Sequence, residues 1–196
     1  MIELVMWQNL VKDVCHLWEL GGGTRYTNLV ETPLSPARLP DTALVLLLDL
    51  SQPGRLWQTA TSLLASTREY TEAALRSPQA EQTGIGPRLA ERAAARLGPD
   101  HPDTNKVKPF PLPLVILGGK YDIFQDFDPE KKKLICRALR YLAHLNAGAL
   151  QFYSARDPGL VKRARDLLSH HAFASPAGAG VAQGSCSHFY GRCQKR

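Results

Sequence analysis

The sequence predicts a three-layer α/β domain built on a parallel sheet, and three observations carry that expectation. Residues 42–50 (TALVLLLDL) and 112–117 (LPLVIL) are short, continuous apolar runs, the pattern of strands covered on both faces. Polar turn residues and then an amphipathic helical stretch follow each run, so strand and helix alternate along the chain. A length of 196 residues with 44% hydrophobic content suits one domain, or a domain with a tail, around a sizeable core.

The elements follow in order. Residues 11–20 (VKDVCHLWEL) alternate, with Val14, His16 and Trp18 on one face and Cys15, Leu17 and Glu19 on the other, and predict a strand. Gly21, Gly22 and Gly23 end it as a flexible exit. After the strand at 42–50, Ser51 and Pro53 open a helix in which Leu56, Ala60, Leu63, Leu64 and Ala74 form a stripe. Residues 77–103 read as an insertion. Its entry is broken by Pro and Gly, Leu89 to Leu97 are helix formers, and Gly98 and Pro99 stop the helix. Asp100, His101, Pro102 and Asp103 then read as a turn rather than metal ligands.

The strand at 112–117 closes on Gly118 and Gly119 and hands over to Lys120, Tyr121 and Asp122. Asp128 and Pro129 supply an N-cap and first turn for a helix to residue 146, with Leu134, Ile135, Ala138, Leu139 and Leu142 as its apolar stripe. The lysine run 131–133 lies on its solvated side. Residues 149–153 (ALQFY) form a short strand. Asp157 and Pro158 start a last helix that buries Leu160, Val161, Ala164, Leu167 and Leu168. The folded domain is expected over residues 1–174. Residues 175–196, rich in Gly, Ala, Ser and Pro, are expected to be a disordered tail. Within it Cys186, His188 and Cys193 match no standard zinc spacing.

The formal charge of +6 is concentrated at the end of the chain: from residue 159 onward there are six Lys/Arg and one acid. The body is close to neutral and carries no basic surface interleaved with aromatics, so nucleic acid is not an expected partner. Cys15 and Cys136 lie in apolar periodic segments and the four cysteines are sparse, as in a reduced intracellular protein. No apolar run approaches the ~20 residues of a membrane span, and the first residues lack the features of a signal peptide.

The loops LGGG, DLS, GGKYD and SARD succeed one another as in a P-loop GTPase from its third motif onward. In such a site Asp122 would accept two hydrogen bonds from the guanine edge and the stem of Lys120 would cover the ring. The backbone of Ser154 and Ala155 would contact the base carbonyl. Lys120 and Asp122 equally suit the closing of a strand-to-helix turn, with Asp122 capping local N–H groups. The phosphate grip is missing, because G-x-x-x-x-G-K-[ST] occurs nowhere and Glu19 stands where a GTPase places a metal-linked aspartate. Neither G-x-S-x-G nor H-E-x-x-H is present, and no G-x-G-x-x-G follows a strand. No catalytic residue, metal ligand or cofactor is therefore assigned.

Five stretches together are more specific than any one of these loops: DVCHLWELGGGT (13–24), LVLLLDLSQPGRLW (44–57), DHPD (100–103), PFPLPLVILGGKYDIFQDF (109–127) and EKKKLICRALRYLAH (130–144). They resemble the light intermediate chains of cytoplasmic dynein 2, over about residues 13–173. The resemblance implies an incomplete Ras-like P-loop NTPase fold, lacking the first strand and the P-loop, with any nucleotide site at Lys120, Asp122, Ser154 and Ala155 vestigial. It implies a non-catalytic motor subunit that docks on the dynein 2 heavy chain and meets other dynein 2 subunits. Microtubules would be reached only indirectly, and no membrane insertion is implied. The implied role is retrograde intraflagellar transport and cilium assembly, in the cytoplasm, cytoskeleton and cilium, including basal body and axoneme. A small GTP-binding switch is the alternative.

Family members carry a further strand and a P-loop ahead of the matched segment, which residues 1–10 do not resemble, and they continue past residue 173 with a sequence unlike 175–196. The chain is therefore expected to be an isoform, or an incomplete gene model, containing the middle of the domain. The absent strand would lie between those at 11–20 and 42–50, leaving unpaired edges and a marginally stable fold.

Overall fold

The computed structural model describes residues 2–8, 11–98 and 101–173. The expected tail at 175–196 and Asp100 lie outside the described residues. Strand β1 (Ile2–Gln8) pairs antiparallel with β2 (Val11–Leu17) from Ile2 opposite Leu17 to Gln8 opposite Val11. Strand β1 was not foreseen, and β2 stops three residues short of the expected end at Leu20. Past it the backbone turns through left-handed Gly22 and Gly23 into a 3-10 stretch, Gly23–Glu31.

The second sheet is parallel, with order β3-β4-β5, formed by β3 (Leu44–Asp49), β4 (Leu114–Gly119) and β5 (Ala149–Phe152). Between its strands run α1 (Pro53–Leu75), α2 (Pro78–Thr83), α3 (Ile85–Leu97), α4 (Tyr121–Phe124) and α5 (Pro129–Leu145), and α6 (Pro158–Phe173) closes the order. Every residue of β4 is buried, as its unbroken apolar run requires. Leu46, Leu48, Leu114 and Ile116 point to one face and join Leu56, Ala60 and Leu64 of α1 and Cys136, Leu139 and Leu142 of α5 in one cluster. Val115 and Leu117 point to the other face, and α6 lies along β5 and also touches β2.

Two expectations about packing need correction. Strand β3 is covered on one face only: Leu46 and Leu48 are buried, whereas Val45 and Leu47 are 38% and 64% exposed. It is the edge of its sheet, and no hydrogen-bonded ladder joins it to β2 among the described residues. In α5, Leu134 is 69% exposed, while Cys136 and Ala143 are buried. The buried residues of the helix are Cys136, Leu139, Leu142 and Ala143, so only Leu139 and Leu142 of the predicted stripe are fully buried.

The caps hold as the sequence suggests. Asp128 Oδ1 accepts from the Glu130 and Lys131 N–H groups, and Asp157 Oδ1 accepts from those of Gly159 and Leu160. Ser77 likewise caps α2, a helix that the Pro- and Gly-broken entry of the insertion does not announce. Arg68 of α1 fastens the approach to β4: its guanidinium donates to the carbonyls of Pro109 and Lys108 and to Asn146 Oδ1, and lies 4.8 Å from the centre of the Phe110 ring. Among the described residues no helix is long and apolar enough to cross a membrane.

Candidate functional site

The carboxyl ends of β3, β4 and β5 lie side by side, which is where parallel sheets offer their loops to a ligand. At the end of β4 the chain must turn at once into α4. Lys120 makes that turn in a left-handed conformation (φ 57°, ψ 40°), an unusual one for a residue with a Cβ. The turn is pinned by the Tyr121 N–H on the Tyr153 carbonyl and the Tyr153 N–H on the Gly118 carbonyl, at 3.0 and 2.7 Å. Beneath it Tyr121, Phe124, Phe127 and Phe152 pack ring against ring. Gly118 lets Leu50 and Phe152 close in, because a Cβ there would lie 3.0 and 3.1 Å from their side chains.

The polar groups above this floor are already engaged with one another. Lys120 Nζ lies 2.7 Å from Asp49 Oδ2, and Asp49 Oδ1 accepts from both the N–H and the hydroxyl of Ser51. Desolvation pushes the Asp49 carboxyl up, but the bonds from Lys120 and Ser51 outweigh it and hold the group below the usual carboxylate value. On the β5 side, the buried Ser154 hydroxyl donates to Asp122 Oδ1 at 3.0 Å and accepts from the Arg156 N–H. Arg156 Nη1 stands 3.4 Å from Asp122 Oδ2. Ala155 is exposed in the intervening turn.

Of the four residues expected to contact a guanine, the structure therefore brings Asp122 and Ser154 into direct contact. Lys120 extends to Asp49 instead, and Ala155 makes the turn between Ser154 and Arg156. The two Asp122 oxygens offer about four acceptor sites, so the contacts with Ser154 and Arg156 leave capacity for two N–H donors of a base. Asp49, Ser51 and Arg156 were not anticipated as partners. The signal was present in the loops DLS and SARD, which carry a charged residue beside each strand end.

A second polar cluster lies away from the strand ends. His144, in the last turn of α5, places Nε2 3.1 Å from Asp103 Oδ2, and the His101 and His144 rings are 5.3 Å apart between centres. The contact with His144, reinforced by Lys106 against a smaller desolvation penalty, holds the Asp103 carboxyl below its usual value. Asp103 and His144 are 41 residues apart, and no local spacing links them in the sequence.

The fold and its strand-end loops define the class, a Ras-like α/β domain. The crystal structure of the conserved domain of a dynein light intermediate chain matches with a TM-score of 0.57 at 17% identity, covering 82% of this chain and 57% of that one. No protein-family model matches the chain. Cytoplasmic dynein 2 light intermediate chain 1 of Mus musculus is 40% identical over 165 residues, and those of Danio rerio and Homo sapiens are 42% and 38% identical over the same length. Each match takes in 84% of this chain, which spans just under half the length of these relatives (46–47%). Over these residues the chain is a homologue of the cytoplasmic dynein 2 light intermediate chains.

Proposed function

We propose that this chain acts as a non-catalytic subunit of the cytoplasmic dynein 2 motor, docking on the heavy chain and supporting retrograde intraflagellar transport and cilium assembly. The observation that carries the reading is the match itself, 38–42% identity over 165 residues to proteins that bear this name. On this reading the chain works by surface fit. It meets the heavy chain and other dynein 2 subunits, reaches microtubules only through them, and resides in the cytoplasm, cytoskeleton and cilium, with its basal body and axoneme. Lys120, Asp122, Ser154 and Ala155 are then the remnant of a base-binding corner, in which Ser154 is bonded to Asp122 and Lys120 to Asp49.

A GTP-binding switch is the second reading, favoured by the contact of Asp122 with Ser154 at 3.0 Å. The phosphate nest normally supplies much of a nucleotide's grip, and the sequence has no P-loop. Titration of the purified chain with fluorescent GDP separates the two. The subunit reading expects no saturable binding at micromolar concentration, whereas micromolar binding abolished by Asp122→Ala would replace it with the switch. Recovery of a tagged chain from ciliated cells tests the subunit reading directly, with dynein 2 heavy chain expected in the eluate and its absence telling against the proposal.

A further inference from the structure

We propose that His101, Asp103 and His144 form a binding site for a divalent transition metal of the zinc type. Each residue offers one ligand atom, and these atoms all lie within 4.8 Å of one another. Two imidazoles and a carboxylate are a donor set that suits zinc, cobalt or nickel rather than magnesium or calcium, which favour oxygen. Around a tetrahedral zinc with bonds of about 2.0–2.1 Å, ligand atoms stand about 3.4 Å apart. His144 Nε2 and Asp103 Oδ2, at 3.1 Å, are already close to that spacing. The remaining contraction falls on His101, which sits on a loop.

The loop is held in register for this role. Asp103 accepts the N–H groups of Lys106 and Val107 through its carbonyl, and Thr104 donates its N–H to the His101 carbonyl. Val107 is buried with Leu97 and Ala147, which clamps the loop against the end of α5 that carries His144. The Asp103 N–H donates to His101 Nδ1 at 3.2 Å, which holds the His101 ring beside Asp103. Lys106 Nζ approaches only the other carboxylate oxygen, Oδ1, at 3.5 Å from an exposed position. His144 Nδ1 is buried with no hydrogen-bond partner, so the site lacks the outer acceptor that tightens dedicated zinc centres. The affinity expected is therefore micromolar.

The test is calorimetric titration of the metal-stripped full chain with zinc sulfate, repeated with cobalt(II) read by its visible absorption. One equivalent should bind with a dissociation constant in the micromolar range. His101→Ala, whose side chain lies in neither apolar cluster, and His144→Gln should each weaken binding at least tenfold. The double variant Cys186→Ser/Cys193→Ser should retain the equivalent, which separates this site from thiolates at the end of the chain. Absence of saturable binding, unchanged affinity in His101→Ala, or loss of the metal in the cysteine variant would each overturn the proposal.

Discussion

Asp49 and Arg68 show how single side chains set what this fold can do. Asp49 is held below its ordinary pKa by Lys120 and Ser51 against the opposing pull of desolvation. A carboxyl depressed in the folded state contributes stability that is complete above the unfolded value and is lost as pH falls through the folded one. The melting temperature of Asp49→Asn should therefore lie below that of the wild type at neutral pH, and the gap should close below about pH 4. Thermal melts across a pH series check this. Arg68→Met should destabilise by about 2 kcal/mol in urea unfolding, because a charge-assisted group serving three acceptors is lost and two of those acceptors are main-chain carbonyls. The sequence displays Lys120, Asp122 and Ser154 as a pattern of loops. It does not display the pairing of Lys120 with Asp49, which depends on two strand ends being brought adjacent by the parallel register of β3 and β4.

At the scale of elements, the long helices and the buried strand were legible because their signals are local, whereas the short α2 and α4 were not. Strand β4 reads as apolar throughout and is buried throughout, and α5 and α6 begin at the Asp-Pro pairs that announce them. Strand β3 was legible as a strand but not as an edge, since its sequence is as apolar as that of β4 and only the neighbours decide which face meets solvent. The hydrophobic stripe of α5 was misplaced by the same kind of ambiguity, with Leu134 outside the contact and Cys136 within it. At Gly118, β4 meets Phe152 of β5 and Leu50 of the turn after β3. Gly118→Val should destabilise by about 2 kcal/mol through overpacking against Leu50 and Phe152, measured by chemical denaturation. A variant as stable as the wild type would mean that those side chains have room to retreat.

At the scale of the whole molecule, no ladder joins the two sheets among the described residues, and an aliphatic strip on β3 faces solvent. Exposed edges and apolar strips of this kind invite association. Purified chain should bind an apolar dye, and Val45→Thr/Leu47→Thr should reduce the signal while changing unfolding stability by no more than about 0.5 kcal/mol. The likeness to dynein 2 light intermediate chains covers 165 residues, 84% of this chain, and so reaches well beyond the strand-end loops. On the proposed docking role, those loops contribute no nucleotide-dependent step. The most direct measurement is capture of purified dynein 2 heavy chain by the immobilised full chain, with and without guanine nucleotide, alongside Asp122→Ala. Capture should be equal under all three conditions. No capture of the heavy chain, or capture that requires nucleotide and an intact Asp122, would contradict a nucleotide-independent docking role.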